Sequence, residues 1–303
     1  MAAPAMVVVA NPTAGHGRAG KVVGKVDQLL RTAGIEREIV LSESAADLET
    51  RVRRAATDGA TVVGCIGGDG TVGLAANGLI GTDATLAIFP SGTADDFAGS
   101  IGLKGLESAV RAVAAGNATR IDTGVVHTEE RTRHYVAIAS CGFDSEVNEA
   151  ANAMTLRLGG TGTYVAALIK TLSRFTPAGF TMDLDGEIVR GQHMLVAIGN
   201  SISYGGGMKV TPDASVVDGM LDVCMLRALS KPAFLRAFPR VFRGTHVTHP
   251  AVRMARVQRI HIEADRRVMV YADGERVGPG PATIEVAPGS LSVFVGPNAK
   301  AVR

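Results

Sequence analysis

The chain has 303 residues, 46% hydrophobic and 20% charged, with 37 glycines, no tryptophan and a formal net charge of +2. This length permits one large domain or two medium ones with substantial cores. The glycine excess over an average of about 7% carries no collagen period, the abundant Val, Leu and Ile exclude a disordered chain, and the small charge marks no nucleic-acid binder.

Cys65, Cys141 and Cys224 lie far apart without a CxxC pair. That argues against a disulfide framework or zinc site and fits a reducing, cytoplasmic compartment. The opening MAAPAMVVVANP lacks a basic n-region, so no signal peptide is expected. No apolar run approaches the ~18 residues of a spanning helix.

In chain order, MVVVA at 6–10 reads as a buried strand running into Asn11-Pro12. Val22, Val23, Val26, Leu29 and Leu30 recur at helical spacing over 18–33, and Gly34 closes that helix. Strands follow at 35–41, 61–66 and 85–89, with helices at 45–58, 72–80 and 106–115. Such alternation implies a parallel sheet covered on both faces, whose ligands sit beyond the carboxyl ends of the strands.

After about residue 125 the rhythm changes. Helical stretches at 146–157 and 163–174 precede strand-like segments at 180–184, 191–199, 221–226, 259–264, 268–272, 283–286 and 291–295. Asp185-Gly186, Asp218-Gly219 and Asp273-Gly274 supply turn dipeptides. Many short strands with little helix point to a sandwich or barrel. The expected fold is therefore α/β with two domains: a Rossmann-like parallel α/β nucleotide domain at 1–124 and an antiparallel β-sandwich-like domain at 125–295.

Three glycine-bearing loops follow strands of the first domain: Asn11-Pro12-Thr13-Ala14-Gly15-His16-Gly17, Gly67-Gly68-Asp69-Gly70-Thr71, and the run from Pro90-Ser91-Gly92-Thr93 to Phe97. A helix N-terminus offers unpaired N–H groups and the positive end of its dipole to phosphate, and glycine lets the backbone close on it. Thr71 and Thr93 can add hydroxyl donors. Neither GxxxxGK[ST] nor GxGxxG with a following acid is present, which disfavours a Walker NTPase and a simple dinucleotide binder. Asp69 inside a phosphate loop calls for Mg²⁺, a managed proton, or a turn-shaping role.

The run IGGDGTVGLAANGL, flanked by NPTAGHGRAGK and FPSGTADDFAGSIGL, resembles the catalytic domain of the diacylglycerol kinase family, which includes bacterial lipid kinases, sphingosine kinases and ceramide kinases. IDTG at 121–124, CGFDSEV at 141–147, YGGGMKVTPDASVVDGMLDV at 204–223 and DGE at 273–275 continue the likeness in the family's order. GGDGT alone is shared with phosphofructokinase-like and NAD kinases; the ordered set is specific to lipid kinases.

The resemblance implies MgATP as phosphoryl donor, a lipid alcohol as acceptor, and a tail at 296–303 returning to the first domain. It places ATP contacts at Asn11, Pro12, Thr13, Ala14, Gly15, Ser42, Gly67, Gly68, Asp69, Gly70, Thr71 and Thr93. It places the catalytic acid at Glu275 with Asp273 beside it, and a structural Mg²⁺ at Ser215, Asp218 and Met220, through the Asp218 carboxylate and two backbone carbonyls. Two motifs depart from the family: Gly73-Leu74 stand where Asn-Glu is usual, and Asp95 and Gly99 stand for Asn and Arg in GTxNDFAR.

The expected reaction is phosphorylation of an acylglycerol-like hydroxyl, with Asp273/Glu275 as general-base element and Asp69 as its alternative. Other lipid alcohols, NAD, and a non-catalytic lipid- or nucleotide-binding module remain as rival readings. Asp122 and Asp144 fit a polar network behind the site or structural turns equally well. Residues 223–262 contain no Asp or Glu but eight Lys and Arg, with Phe234, Phe238 and Phe242 at i, i+4, i+8 in a helix that Pro239 should disturb. That stretch reads either as sandwich packing or as a peripheral contact with an inner membrane surface. His246 and His249 support no metal reading, no nucleic-acid partner is expected, and a homodimer is left open.

Overall fold

A computed structural model describes residues 5–11, 19–153, 168 and 170–302. Most of the helix expected at 163–174 and the end of that at 146–157 lie outside the described residues. The chain divides into two units: Met1–Thr123 with Ser215–Asp218 and Pro288–Arg303, and Gly124–Ala214 with Gly219–Ala287.

The first unit alternates β1 (Met6–Ala10), α1 (Ala19–Thr32), β2 (Glu38–Leu41), α2 (Ala45–Thr57), β3 (Val62–Gly67), α3 (Asp69–Leu79) and β4 (Thr85–Pro90), then α4 (Asp96–Ser100) and α5 (Leu106–Ala114). The strands pair in parallel in the order β4-β3-β1-β2. Val7–Ala10 and Leu86–Phe89 are buried throughout, as strands covered by helices on both faces must be. Local chemistry fixes the helix ends. Ser44 caps α2 by accepting from the Asp47 N–H at 3.1 Å, while the Asp47 carboxylate accepts from the Glu43 N–H at 2.8 Å. Gly34, at φ +71°, closes α1 with the paired carbonyl contacts of a left-handed cap.

The chain's end belongs to this unit. Ser292 and Val293 of β15 (Ala282–Phe294) pair in parallel with Thr85 and Leu86. The N–H groups of Val295, Gly296 and Ala301 donate to the carbonyls of Asn117, Ile101 and Ser100. Gly102, at φ +83°, lets that tail pass, since a Cβ there would lie 2.9 Å from the Ala299 nitrogen.

β5 (Ala118–His127) carries the chain into the second unit. There β6 (Thr132–Tyr135), β7 (Ile138–Gly142), β8 (Ala178–Leu184), β9 (Glu187–Gly199), β10 (Leu221–Arg227), β11 (Val252–Val257), β12 (Arg259–Ala264), β13 (Met269–Ala272) and β14 (Glu275–Pro279) form antiparallel pairs. The first half of β9 pairs with β8 and its second half with β7. Inward residues such as Met182, Val196, Ile198, Val223 and Ile260 make one core, the arrangement of a β-sandwich-like domain. The fold is the expected α/β combination of a parallel sheet and an antiparallel sandwich.

A second apolar cluster joins α6 (Phe143–Ala153) to α7 (Lys231–Ala237) through Phe143, Val147, Leu172, Phe175 and Phe234. Past α7 the chain tightens into 3₁₀ turns at Phe238–Arg243 and Thr245–Thr248. Pro239 sits in the first turn of the former, where its missing N–H costs no hydrogen bond.

Candidate active site

The parallel registers align the first unit's loops. Ala10 faces Ile66 and Leu41, and Gly67 faces Pro90, so Asn11, Ser42, Gly68 and Ser91 all follow the carboxyl ends of adjoining strands. Ser42 is buried and its hydroxyl donates to the Ala10 carbonyl at 3.3 Å, which ties the ends of β1 and β2 together. Pro12, Thr13, Ala14 and Gly15 lie outside the described residues.

Gly68 precedes α3 and supplies no side-chain cap, so the first N–H groups of that helix keep their donor capacity. A Cβ on Gly92 would lie 2.6 Å from the Gly68 Cα, and one on Gly67 would lie 2.2 Å from the Thr71 Oγ1. No side chain fits at either place, because the Thr71 side chain fills the space at Gly67 and the Gly68 backbone with the Asp95 carboxylate fills it at Gly92. Gly70 is exposed and open around its Cα, and Thr93 is exposed on the facing loop.

Asp69 opens α3, but its carboxylate points to another helix. It accepts from the N–H groups of Phe97 at 3.0 Å and Asp96 at 3.2 Å, capping α4. Asp95 is a left-handed residue (φ +53°) whose Oδ1 accepts from the Gly92 N–H at 2.9 Å. Burial pushes its carboxyl pKa up, the Gly92 N–H pulls it down, and the Asp69 and Asp96 charges add to the rise.

In the second unit, Asp273-Gly274 form the turn between β13 and β14, with φ of +48° and +79°. The Asp273 carboxylate accepts from the N–H groups of Val136 (2.8 Å), Ala137 (2.9 Å) and Ile138 (3.2 Å). Glu275 opens β14, half-buried, with the Arg133 guanidinium 3.7 Å away. Among the described residues a backbone cage surrounds the Asp273 carboxylate and none surrounds that of Glu275.

Residues 5–126 match the diacylglycerol kinase catalytic domain, and residues 137–295 match the YegS C-terminal NAD kinase beta sandwich-like domain. A diacylglycerol kinase of Mycobacterium tuberculosis (strain ATCC 25618 / H37Rv) is 35% identical over 95% of this chain and 94% of its own. This chain belongs to the diacylglycerol kinase family. The Bacillus subtilis (strain 168) diacylglycerol kinase is 28% identical over 89% of each chain. A crystal structure of a diacylglycerol kinase from Bacillus anthracis str. Sterne shares the fold, with a TM-score of 0.74 at 20% identity over 97% of both chains. The family is one of kinases, transferases that draw on a nucleotide.

Two of the residues that depart from the usual motif, Leu74 and Asp95, have local explanations. Leu74 is buried in α3 with Val72, Ala75 and Ala76, so its site is apolar packing. Asp95 keeps the side-chain oxygen that holds Gly92, which an Asn would also supply. Ser215 is buried and its hydroxyl donates to the Ala301 carbonyl at 3.2 Å, while Asp218 is exposed before Gly219 (φ +69°). Among the described residues no cluster of three His, Cys, Asp or Glu side chains could hold a metal. The expected site needs only one carboxylate, and its all-oxygen donor set suits a hard, water-retaining cation such as Mg²⁺.

Asp122 is structural, since its buried carboxylate accepts from the Gly289 N–H at 2.8 Å and anchors the returning strand. Asp144 instead lines a cavity of about 80 Å³ in the second unit, where it accepts from the Ser140 hydroxyl at 2.8 Å. The walls are otherwise mostly apolar: Phe143, Met208, Leu226, Phe234, Phe238 and Val241. His246 also lines it, with Nε2 3.1 Å from the Val210 carbonyl; burial lowers its pKa and favours the neutral ring. Sequence reasoning missed this cavity. Its only trace was the phenylalanine spacing: Phe234 is buried, Phe238 half-buried and Phe242 45% exposed.

Proposed function

We propose that the protein is an ATP-dependent lipid kinase that phosphorylates the hydroxyl of diacylglycerol or a similar lipid alcohol. The observation that carries the reading is the close approach of the glycine loops at Gly67–Gly68 and Gly92, set at the start of α3, which has no side-chain cap. ATP would lie along this edge, held by Asn11, the loop through Gly15, Ser42, Gly67 to Thr71, and Thr93. When bound, ATP supplies the phosphoryl group and Mg²⁺ offsets its charge.

Glu275 is the general base: it takes the proton of the attacking hydroxyl as that oxygen bonds to phosphorus and the nucleotide leaves as ADP. Asp69 keeps its carboxylate on α4 and fixes the distance between the two glycine loops. Asp273 holds the turn that presents Glu275. Asp218, with the carbonyls of Ser215 and Met220, would hold a structural Mg²⁺. The apolar cavity would receive an acyl chain. An ATP-using enzyme with a bilayer-borne acceptor would work at the cytoplasmic surface of a membrane; among the described residues no helix is long and apolar enough to cross one.

Glu275→Gln is expected to abolish turnover while ATP still binds. Near-wild-type rates would move the base to Asp69. Failure of every lipid alcohol to accept labelled phosphate would favour a non-catalytic binding module.

A further inference from the structure

The cavity has a roof with two chemically distinct stripes. Phe234, Ala237, Phe238 and Val241 face the cavity at helical spacing. One residue along, Leu235, Pro239 and Phe242 form a second stripe that is exposed, Leu235 at 50% and Phe242 at 45%. Arg236 and Arg243 follow these two apolar residues directly; both are exposed and make no ion pair among the described residues. Lys231 and Arg240 add charge nearby, held to the Ser173 carbonyl and the Thr248 hydroxyl. No acidic residue occurs anywhere in 223–262.

We infer that residues 231–243 are the surface by which the protein docks on an anionic lipid bilayer. An exposed leucine and phenylalanine set among arginines match the two layers of an interface, acyl chains below and anionic headgroups above. A nucleic-acid backbone would satisfy the arginines, but it gives nothing to Leu235 and Phe242. The cavity supplies a reason for docking here. At about 80 Å³ it is smaller than the ~150 Å³ that holds a benzene, so a long acyl chain enters only if its roof lifts. A roof resting in the interface lifts into lipid, which spares the exposed cavity contact with water. Docking stands apart from catalysis; only the entry of an acyl chain rests on the lipid-kinase reading.

Sedimentation with vesicles, without ATP, tests the surface. The full chain should bind phosphatidylcholine vesicles containing phosphatidylglycerol, bind pure phosphatidylcholine weakly, and release at high salt. The Arg236→Gln/Arg243→Gln double variant should lose about thirtyfold in partitioning, from ~1 kcal/mol per basic residue taken twice, and the corresponding double lysine variant should retain it. Leu235→Ser/Phe242→Ser should also weaken binding, with its charge intact. None of these residues lines the cavity, so phosphorylation of a detergent-dispersed acceptor should persist in each variant. Binding indifferent to phosphatidylglycerol, unchanged in both the glutamine and the serine double variants, or abolished by RNA while insensitive to Leu235 and Phe242, would overturn the inference. Vesicle binding without lipid phosphorylation would instead sink the kinase reading and leave the docking surface standing.

Discussion

Three backbone N–H groups, from Val136, Ala137 and Ile138, converge on the single carboxylate of Asp273, whereas Glu275 lies 3.7 Å from the Arg133 guanidinium. Asp273→Ala would leave several donors unmatched and should cost about 3 kcal/mol or more, visible as a lowered unfolding midpoint. Glu275→Gln should leave that midpoint unchanged, so the pair separates a structural acid from a chemical one. The motif DGE is readable in the sequence; the division of labour is not, because the donors to Asp273 lie over a hundred residues upstream. Asp95 carries a pH prediction. Its folded pKa is raised, so the folded state binds its proton more tightly than the unfolded chain, and stability falls as pH rises through the folded value. Asp95→Asn keeps an oxygen for Gly92, suits the left-handed backbone and removes that loss. The variant should unfold at higher denaturant than wild type at neutral pH, with the gap closing as pH falls below the unfolded value of 3.8.

At the level of elements, the glycine loops and the cavity roof make opposite demands. The first must stay bare, since a Cβ on Gly92 meets the Gly68 Cα at 2.6 Å and the Asp95 Oδ1 at 2.7 Å. Gly92→Ala should push the loops apart and weaken ATP about tenfold in equilibrium binding, some 1.4 kcal/mol. The roof must stay unfilled: Ala237→Phe, at a cavity-lining position, should raise the KM for the lipid acceptor and leave ATP binding alone. Hydrophobic period exposed most of the first unit's elements, but α3 begins at Asp69 rather than residue 72. Its glycine-rich first turn has poor intrinsic helix propensity and is held by tertiary contacts. The segments expected at 283–286 and 291–295 are one strand, Ala282–Phe294, running through Pro288-Gly289. β11 escaped notice because four of its six residues are only half-buried and two arginines interrupt its apolar run.

For the whole molecule, the α/β and sandwich classes followed from the change of rhythm near residue 125. The membership of Ser215–Asp218 and Pro288–Arg303 in the first unit depends on distant backbone pairings, such as Val216 with Ala301 and Ser292 with Thr85, which leave no local pattern. The apolar cavity was hidden for a similar reason, since much of its wall comes from α6, β10 and α7 and consists mostly of ordinary apolar residues until folding brings them together. The proposed function assigns phosphate binding to the glycine loops of the first unit, proton transfer to Glu275 and acyl-chain binding to the apolar cavity of the second unit. The most direct measurement is transfer of labelled γ-phosphate from ATP to detergent-dispersed diacylglycerol, beside a sphingoid base, ceramide, phosphatidylglycerol and NAD. The account predicts labelled phosphatidate with Mg²⁺ present, lost in Glu275→Gln. Labelled product from NAD alone, or from none of the acceptors, would contradict it.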